Sequence, residues 1–242
     1  MPTGLPAQAG QIKMTSDPKI LGLALVGGLI PALLWLLFWL REDRKRPEPK
    51  GLLAIVFFLG MLSIAVVIPI QQFIKENVLS YDWQIVSWAA TEELIKYLAV
   101  VILLLNTRNI DEPLDWPIYL ITAALGFAAI ENALYLVKPL TLGQNTVGLF
   151  TGQVRFLGAT LLHAVSSGIL GISLGLAFFM NGFSKKIHLL IGLALATILH
   201  SIFNFFIIEN NGNNPLKALG FLWVVTIIVM LLFEKLRRMS LK

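Results

Sequence analysis

Carboxylates, imidazoles, an ammonium and carboxamides recur along this chain at spacings that could do chemistry. Glu92 and Glu93 are adjacent and Lys96 follows; Glu131 stands next to Asn132; His163 is followed by Ser166 and Ser167; His200 is followed four residues on by Asn204. A carboxylate can act as a general base toward water, and an amide, imidazole or ammonium can stabilise a developing oxyanion. Imidazoles joined by a carboxylate also form a donor set for a divalent metal. The chain has no cysteine, so disulfides and thiolate nucleophiles are excluded.

These residues lie inside long apolar runs. The 242 residues are 57% hydrophobic and 14% charged, with a mean hydropathy of +0.78; soluble domains carry about 25% charged residues. The runs are long enough to cross a bilayer as helices. Seven spans are predicted: 20–40, 51–70, 84–105, 116–137, 154–180, 187–208 and 216–233. The fold class is therefore all-α, a polytopic transmembrane helix bundle of about seven spans with a polar intramembrane site. Residues 1–19 form a polar tail without the basic-then-apolar order of a signal peptide. Residues 20–234 form one transmembrane domain, and 235–242 a basic tail. The segment Gln71–Leu79 is expected as a separate interfacial helix.

Loop charge predicts orientation. Arg41, Arg44, Lys45, Arg46, Lys50, Arg108, Lys185, Lys186, Lys235, Arg237, Arg238 and Lys242 fall on the side of the C-terminus. That end is expected in the cytoplasm and the N-terminus outside. The net charge of +5 sits beside apolar runs and points to membrane orientation rather than nucleic-acid binding.

An ionisable group at the bilayer centre costs about 2.5–3.5 kcal/mol on insertion scales. Three glutamates and a lysine left unpaired would together cost roughly 10 kcal/mol, comparable with the stability of a whole domain. They are tolerable only facing one another or a wet cavity. At 1.5 Å per residue, Glu93, Glu131, His163 and His200 all fall roughly 10–15 Å below the same membrane surface. Glu92 shares a helix face with Lys96, His163 with Ser167, and His200 with Asn204. One of the two adjacent glutamates can pair with Lys96 while the other faces the cavity. His188 reads as an interfacial residue, and Arg155 as a residue that snorkels to the surface or orients a carboxylate or a substrate carbonyl. Gly27, Gly28 and Pro31 suggest a kink or close contact, and Gly171 with Gly175 a close-packing stripe.

In order, Glu-Glu-x-x-Lys (Glu92, Glu93, Lys96), Phe-x-x-x-Glu-Asn (Phe127, Glu131, Asn132), His163 with its serines, and His-x-x-x-Asn (His200, Asn204) resemble the PrsW family of bacterial intramembrane metalloproteases. That family is related to the CAAX-processing and bacteriocin-processing membrane peptidases. Those relatives usually carry Glu-Glu-x-x-x-Arg and Phe-x-x-x-His; Lys96 and Glu131 depart from that pattern toward the PrsW branch. The resemblance covers about residues 82–208, the expected peptidase core. It implies a multi-pass protein of the bacterial cytoplasmic membrane. The active site would lie toward the extracytoplasmic side, and the substrates would be membrane-anchored proteins such as anti-sigma factors.

Two schemes for peptide hydrolysis fit the residues. In the first, Glu131, His163 and His200 hold a divalent metal, expected to be zinc, and Glu92 or Glu93 acts as general base, with Lys96 and Asn204 completing the catalytic set. In the second no metal is used: a glutamate of the pair activates water and His163, His200 and Asn204 stabilise the oxyanion. A proton-coupled transporter would also use intramembrane Glu, Lys and His, but no clear pair of repeats accompanies them. A scaffold would tolerate loss of Glu92 and Glu93.

Overall fold

A computed structural model describes residues 17–41, 46–104, 107, 109–144, 146–147, 149, 153, 155–209 and 215–240. Most of the expected polar tail, residues 1–16, lies outside the described residues. Seven long helices carry the fold: α1 Pro18–Leu40, α2 Lys50–Asn77, α3 Tyr81–Leu104, α4 Asp115–Thr141, α5 Thr160–Leu176, α6 Gly182–Glu209 and α7 Pro215–Ser240. A π-helical turn, Arg155–Ala159, leads into α5. Among the described residues there is no strand.

Six of these helices, all but α3 and with α5 counted together with its π-helical turn, are long and apolar enough to cross a membrane. With 24 residues α3 has the length, but it carries Asp82, Glu92, Glu93 and Lys96. The chain is a multi-pass membrane protein, and α3 packs within the bundle against α2, α4 and α6. Two boundaries differ from expectation. The second span does not stop at Ile70: α2 continues through Pro69 to Asn77, so the Gln71–Leu79 segment is not a separate interfacial helix. At the other end α7 runs on to Ser240, so the basic residues Lys235, Arg237 and Arg238 continue a helix.

The most apolar helices are not the innermost. In α4 and α5, 83% and 78% of the apolar window is buried, against 22% in α1 and 28% in α7. Inner position follows from small side chains. Close approach of α2 to α4 requires glycine on both: a Cβ on Gly60 would lie 2.0 Å from the Ala123 carbonyl oxygen, and one on Gly126 2.0 Å from that of Phe57. At Gly28 it would lie 2.1 Å from the Ala129 carbonyl oxygen, so this glycine marks a contact of α1 with α4. The Gly171 and Gly175 stripe does the same for α5, against Pro117 and the Pro113 carbonyl. Outer helices turn Leu23, Leu37, Phe58, Leu190 and Leu231 outward, as a lipid-facing surface requires.

Candidate active site

Four helices bring their charges to one place. Glu92, Glu93 and Lys96 from α3, Glu131 from α4, His163, Ser166 and Ser167 from α5, and His200 from α6 are all buried and in mutual contact. Left in a low-dielectric interior, each would demand a partner; here the partners are one another.

Glu93 is the most heavily bonded. Its Oε1 accepts from Lys96 Nζ at 2.8 Å, Ser166 Oγ at 3.0 Å and His200 Nδ1 at 2.9 Å, and its Oε2 accepts from Ser167 Oγ at 2.6 Å. The tight ion pair of Lys96 is thus with Glu93, three residues earlier, while Glu92 Oε2 stands 3.9 Å away. This assigns the split between the two glutamates: Glu93 takes the lysine and Glu92 faces the cluster. As His200 Nδ1–H donates to Glu93, the lone pair of His200 rests on Nε2. That nitrogen lies 3.7 Å from Glu92 Oε2. A carboxylate behind an imidazole is the arrangement that orients a metal-binding histidine.

The tautomer of His163 follows in the same way. An ammonium only donates, so His163 Nδ1 accepts from Lys96 Nζ at 2.9 Å, and Nε2–H donates to Glu131 Oε2 at 2.9 Å. Phe127, one turn before Glu131, packs edge-on to the His163 ring at 5.3 Å and lies 4.7 Å beneath the Lys96 ammonium. The two imidazoles meet edge to face at 5.1 Å.

Glu131 is held differently from the other carboxylates. Its Oε2 also pairs with Arg155 Nη2, while Arg155 Nε donates to Asn132 Oδ1 at 2.6 Å and the guanidinium stacks on Tyr135 at 3.7 Å. Asn132 Nδ2 donates to Thr160 Oγ1, which donates to the Arg155 carbonyl. The π-helical turn therefore delivers Arg155 inward to a carboxylate, one of the roles its sequence position allowed. Among the described residues His188 is bonded to the Ser184 carbonyl and, through its own carbonyl, to Ser173. Asn204, half-buried one turn beyond His200, makes no side-chain hydrogen bond among the described residues.

Sequence reasoning missed Gln71, which it placed in a connection. Because α2 continues past Ile70, Gln71 is buried, and its Nε2 donates to Glu92 Oε1 at 2.8 Å. Trp88 Nε1 in turn holds the Gln71 carbonyl at 3.1 Å. The signal was present as a glutamine at the end of an apolar run, just after Pro69.

One consequence concerns metal. Glu92 Oε2 is buried and accepts no hydrogen bond among the described residues. It stands 3.9 Å from His163 Nδ1 and 3.7 Å from His200 Nε2. Glu92, His163 and His200 are the group among the described residues whose donor atoms all lie within 4.8 Å of one another and could hold an ion. Two imidazoles and one carboxylate, with a further position left for water, is the donor set of a catalytic zinc site. The carboxylate in this close group is Glu92, whereas Glu131, expected beside the two histidines, is engaged by Arg155 and His163. Formally, Glu92, Glu93 and Glu131 face two fixed cations, Lys96 and Arg155, so the cluster can accommodate further positive charge. The donors present fit a divalent metal.

Comparison with known proteins agrees with this chemistry. The family model described as PrsW family intramembrane metalloprotease matches residues 48–233. The chain is 29% identical over 201 residues to Protease PrsW of Bacillus subtilis strain 168, covering 81% of this chain and 88% of that protein. It is 31% identical over 188 residues to Protease PrsW of Oceanobacillus iheyensis, covering 75% and 81%, and 28% identical over 186 residues to that of Clostridioides difficile strain 630, covering 73% and 76%. No solved structure matches the chain. On the length of that match, and with a buried cluster of glutamates and histidines inside a membrane bundle, the chain belongs to the PrsW family of intramembrane metalloproteases and is a membrane-embedded peptidase.

Proposed function

We propose that the chain hydrolyses a peptide bond of a membrane-anchored protein at a single zinc ion held by Glu92, His163 and His200. The observation that carries this reading is the unpartnered, buried Oε2 of Glu92 between two imidazole nitrogens whose tautomers leave lone pairs on that side. A divalent ion there supplies Lewis-acid polarisation of water and of the scissile carbonyl.

The protein's own groups then have distinct tasks. Glu93 orients His200 and neutralises Lys96. Glu131, whose Oε1 accepts no hydrogen bond among the described residues, takes the proton from water and returns it to the leaving amine. Arg155 fixes that carboxylate. Asn204, on the face of His200, is the amide available to the substrate carbonyl. Every one of these residues falls within 82–208, which supports that segment, with Gln71 added from α2, as the peptidase core.

Orientation follows the basic residues. The C-terminal end of α7 and the Lys185–Lys186 corner would face the cytoplasm of a bacterial inner membrane. Glu131, His163 and His200 each lie nearer the opposite end of the bundle, which would put cleavage toward the extracytoplasmic side. An anti-sigma factor with one membrane span is the substrate class the family resemblance suggests.

A metal-free reading has one observation in its favour: the Lys96 ammonium already stands 2.9 Å from His163 Nδ1, where a cation would otherwise compensate the glutamates. In that case Glu92 activates water directly. Cleavage of a single-span reporter by the purified protein, before and after chelation and with zinc returned, tests both. Activity lost on chelation and restored by zinc supports the metal reading. Activity indifferent to chelation in a demonstrably metal-free sample supports the other, and no cleavage under any condition contradicts both.

A further inference from the structure

Away from the glutamate–histidine cluster, a cavity of about 480 Å³ opens in the half of the bundle where α3 ends and α6 begins. Its walls are apolar: Val101 and Leu104 of α3, Trp116 of α4, Leu174 of α5 and Phe178 in the turn that follows α5. Tyr97 lines one end, and Lys185 and Lys186 line the other. Among the described residues no acidic side chain lines it. Both lysines are exposed and neither forms an ion pair among the described residues; Lys185 lies 5.8 Å over the Phe178 ring.

We propose that this cavity binds one anionic phospholipid, its phosphate on Lys185 and Lys186 and one acyl chain laid along Tyr97–Leu104. Lys185 and Lys186 lie in the first turn of a helix long and apolar enough to cross a membrane, which would set this corner where headgroups meet acyl chains. Phe179, Phe183 and Leu190, beside the lysines in sequence, are 73%, 74% and 68% exposed, a surface only lipid would cover favourably. Charge complementarity selects the headgroup: two unpaired cations at the first turn of α6, whose helix dipole adds to them, favour an anion. Near an anionic leaflet each lysine is worth roughly fivefold in affinity.

The test uses the full-length protein in nanodiscs of phosphatidylcholine containing increasing fractions of lipid brominated in its acyl chains. The Trp116 signal is taken as wild type minus Trp116→Phe. Brominated phosphatidylglycerol is expected to quench Trp116 at a roughly tenfold lower mole fraction than brominated phosphatidylcholine. Lys185→Ala/Lys186→Ala should bring the two curves together. Since both lysines are exposed, this variant should keep the fold, which an unchanged Trp116 emission maximum without bromolipid confirms. Coincident curves in the wild type, or a preference that survives loss of both lysines, would overturn the proposal. A photo-cross-linking residue in place of Leu189, which also lines the cavity, gives a second reading. A lipid adduct supports the assignment, while an adduct to a substrate segment or to a second copy of the chain overturns it.

Discussion

Gln71 donates a 2.8 Å hydrogen bond to Glu92 Oε1 and so turns the other carboxylate oxygen toward His163 and His200. This amide sits in the second-to-last turn of a helix that an apolar-run reading ends at Ile70, seven residues too early. Removing it as Gln71→Leu leaves a buried acceptor bare, at about 1–3 kcal/mol of stability. It should also weaken zinc binding by roughly 10–100-fold, the range seen when a residue supporting a ligand is lost. Calorimetric titration of zinc into the purified variant measures this; a folded variant with unchanged affinity would contradict the positioning role.

Lys96 and a metal ion would share the same donors, since Nζ lies 2.9 Å from His163 Nδ1 and 3.9 Å from Glu92 Oε2. Lys96→Met removes a competing positive charge a few ångströms from the site. Zinc affinity is expected to rise about tenfold or more, because like-charge repulsion at such distances reaches a few kcal/mol, while cleavage falls. Equal or weaker zinc binding in a folded Lys96→Met protein would show that the two do not compete.

Arg155 and Glu131 form a largely buried pair fed by a π-helical turn. Breaking such a pair by deleting one partner costs about 3–5 kcal/mol. Arg155→Met should lower resistance to unfolding in mixed detergent micelles by that amount. Arg155→Lys, which keeps the charge but loses the paired bonds to Glu131 and Asn132, should fall between. A loss under 1 kcal/mol for Arg155→Met would argue that Glu131 does not depend on it.

Helix approach gives a prediction independent of the chemistry. Gly126→Ala places a methyl 2.0 Å from the Phe57 carbonyl oxygen, and Gly22→Ala places one in open space. The first should destabilise the protein by about 1–3 kcal/mol and the second by well under 1 kcal/mol. Similar behaviour of the two in the same unfolding assay would contradict the close α2–α4 contact.

The bundle was legible because apolar runs of span length have few other uses, and the site because charges inside such runs must meet. Glu92, Glu93, Lys96, Glu131, His163 and His200 could all be nominated on that ground, and all come together. What spacing could not supply was the partnering. Positions 92 and 93 both lie within a turn of Lys96, and only the hydroxyls of Ser166 and Ser167 and the imidazole of His200 make Glu93 the better-solvated carboxylate. Gln71 was hidden because Pro69 and a polar run suggest an end, whereas the helix passes through them. The inner place of α4 was hidden as well, since hydropathy rewards lipid exposure and α4 earns its position through glycine and alanine.

The central claim is that Glu92, with His163 and His200, holds one divalent metal. Metal content of the purified wild type, measured beside Glu92→Gln, His163→Ala, His200→Ala and Glu131→Gln, tests it most directly. One equivalent of zinc in the wild type, lost from the first three variants and retained by Glu131→Gln, is the expected result. Zinc retained by Glu92→Gln but lost from Glu131→Gln, or no metal in an active wild-type protein, would contradict it.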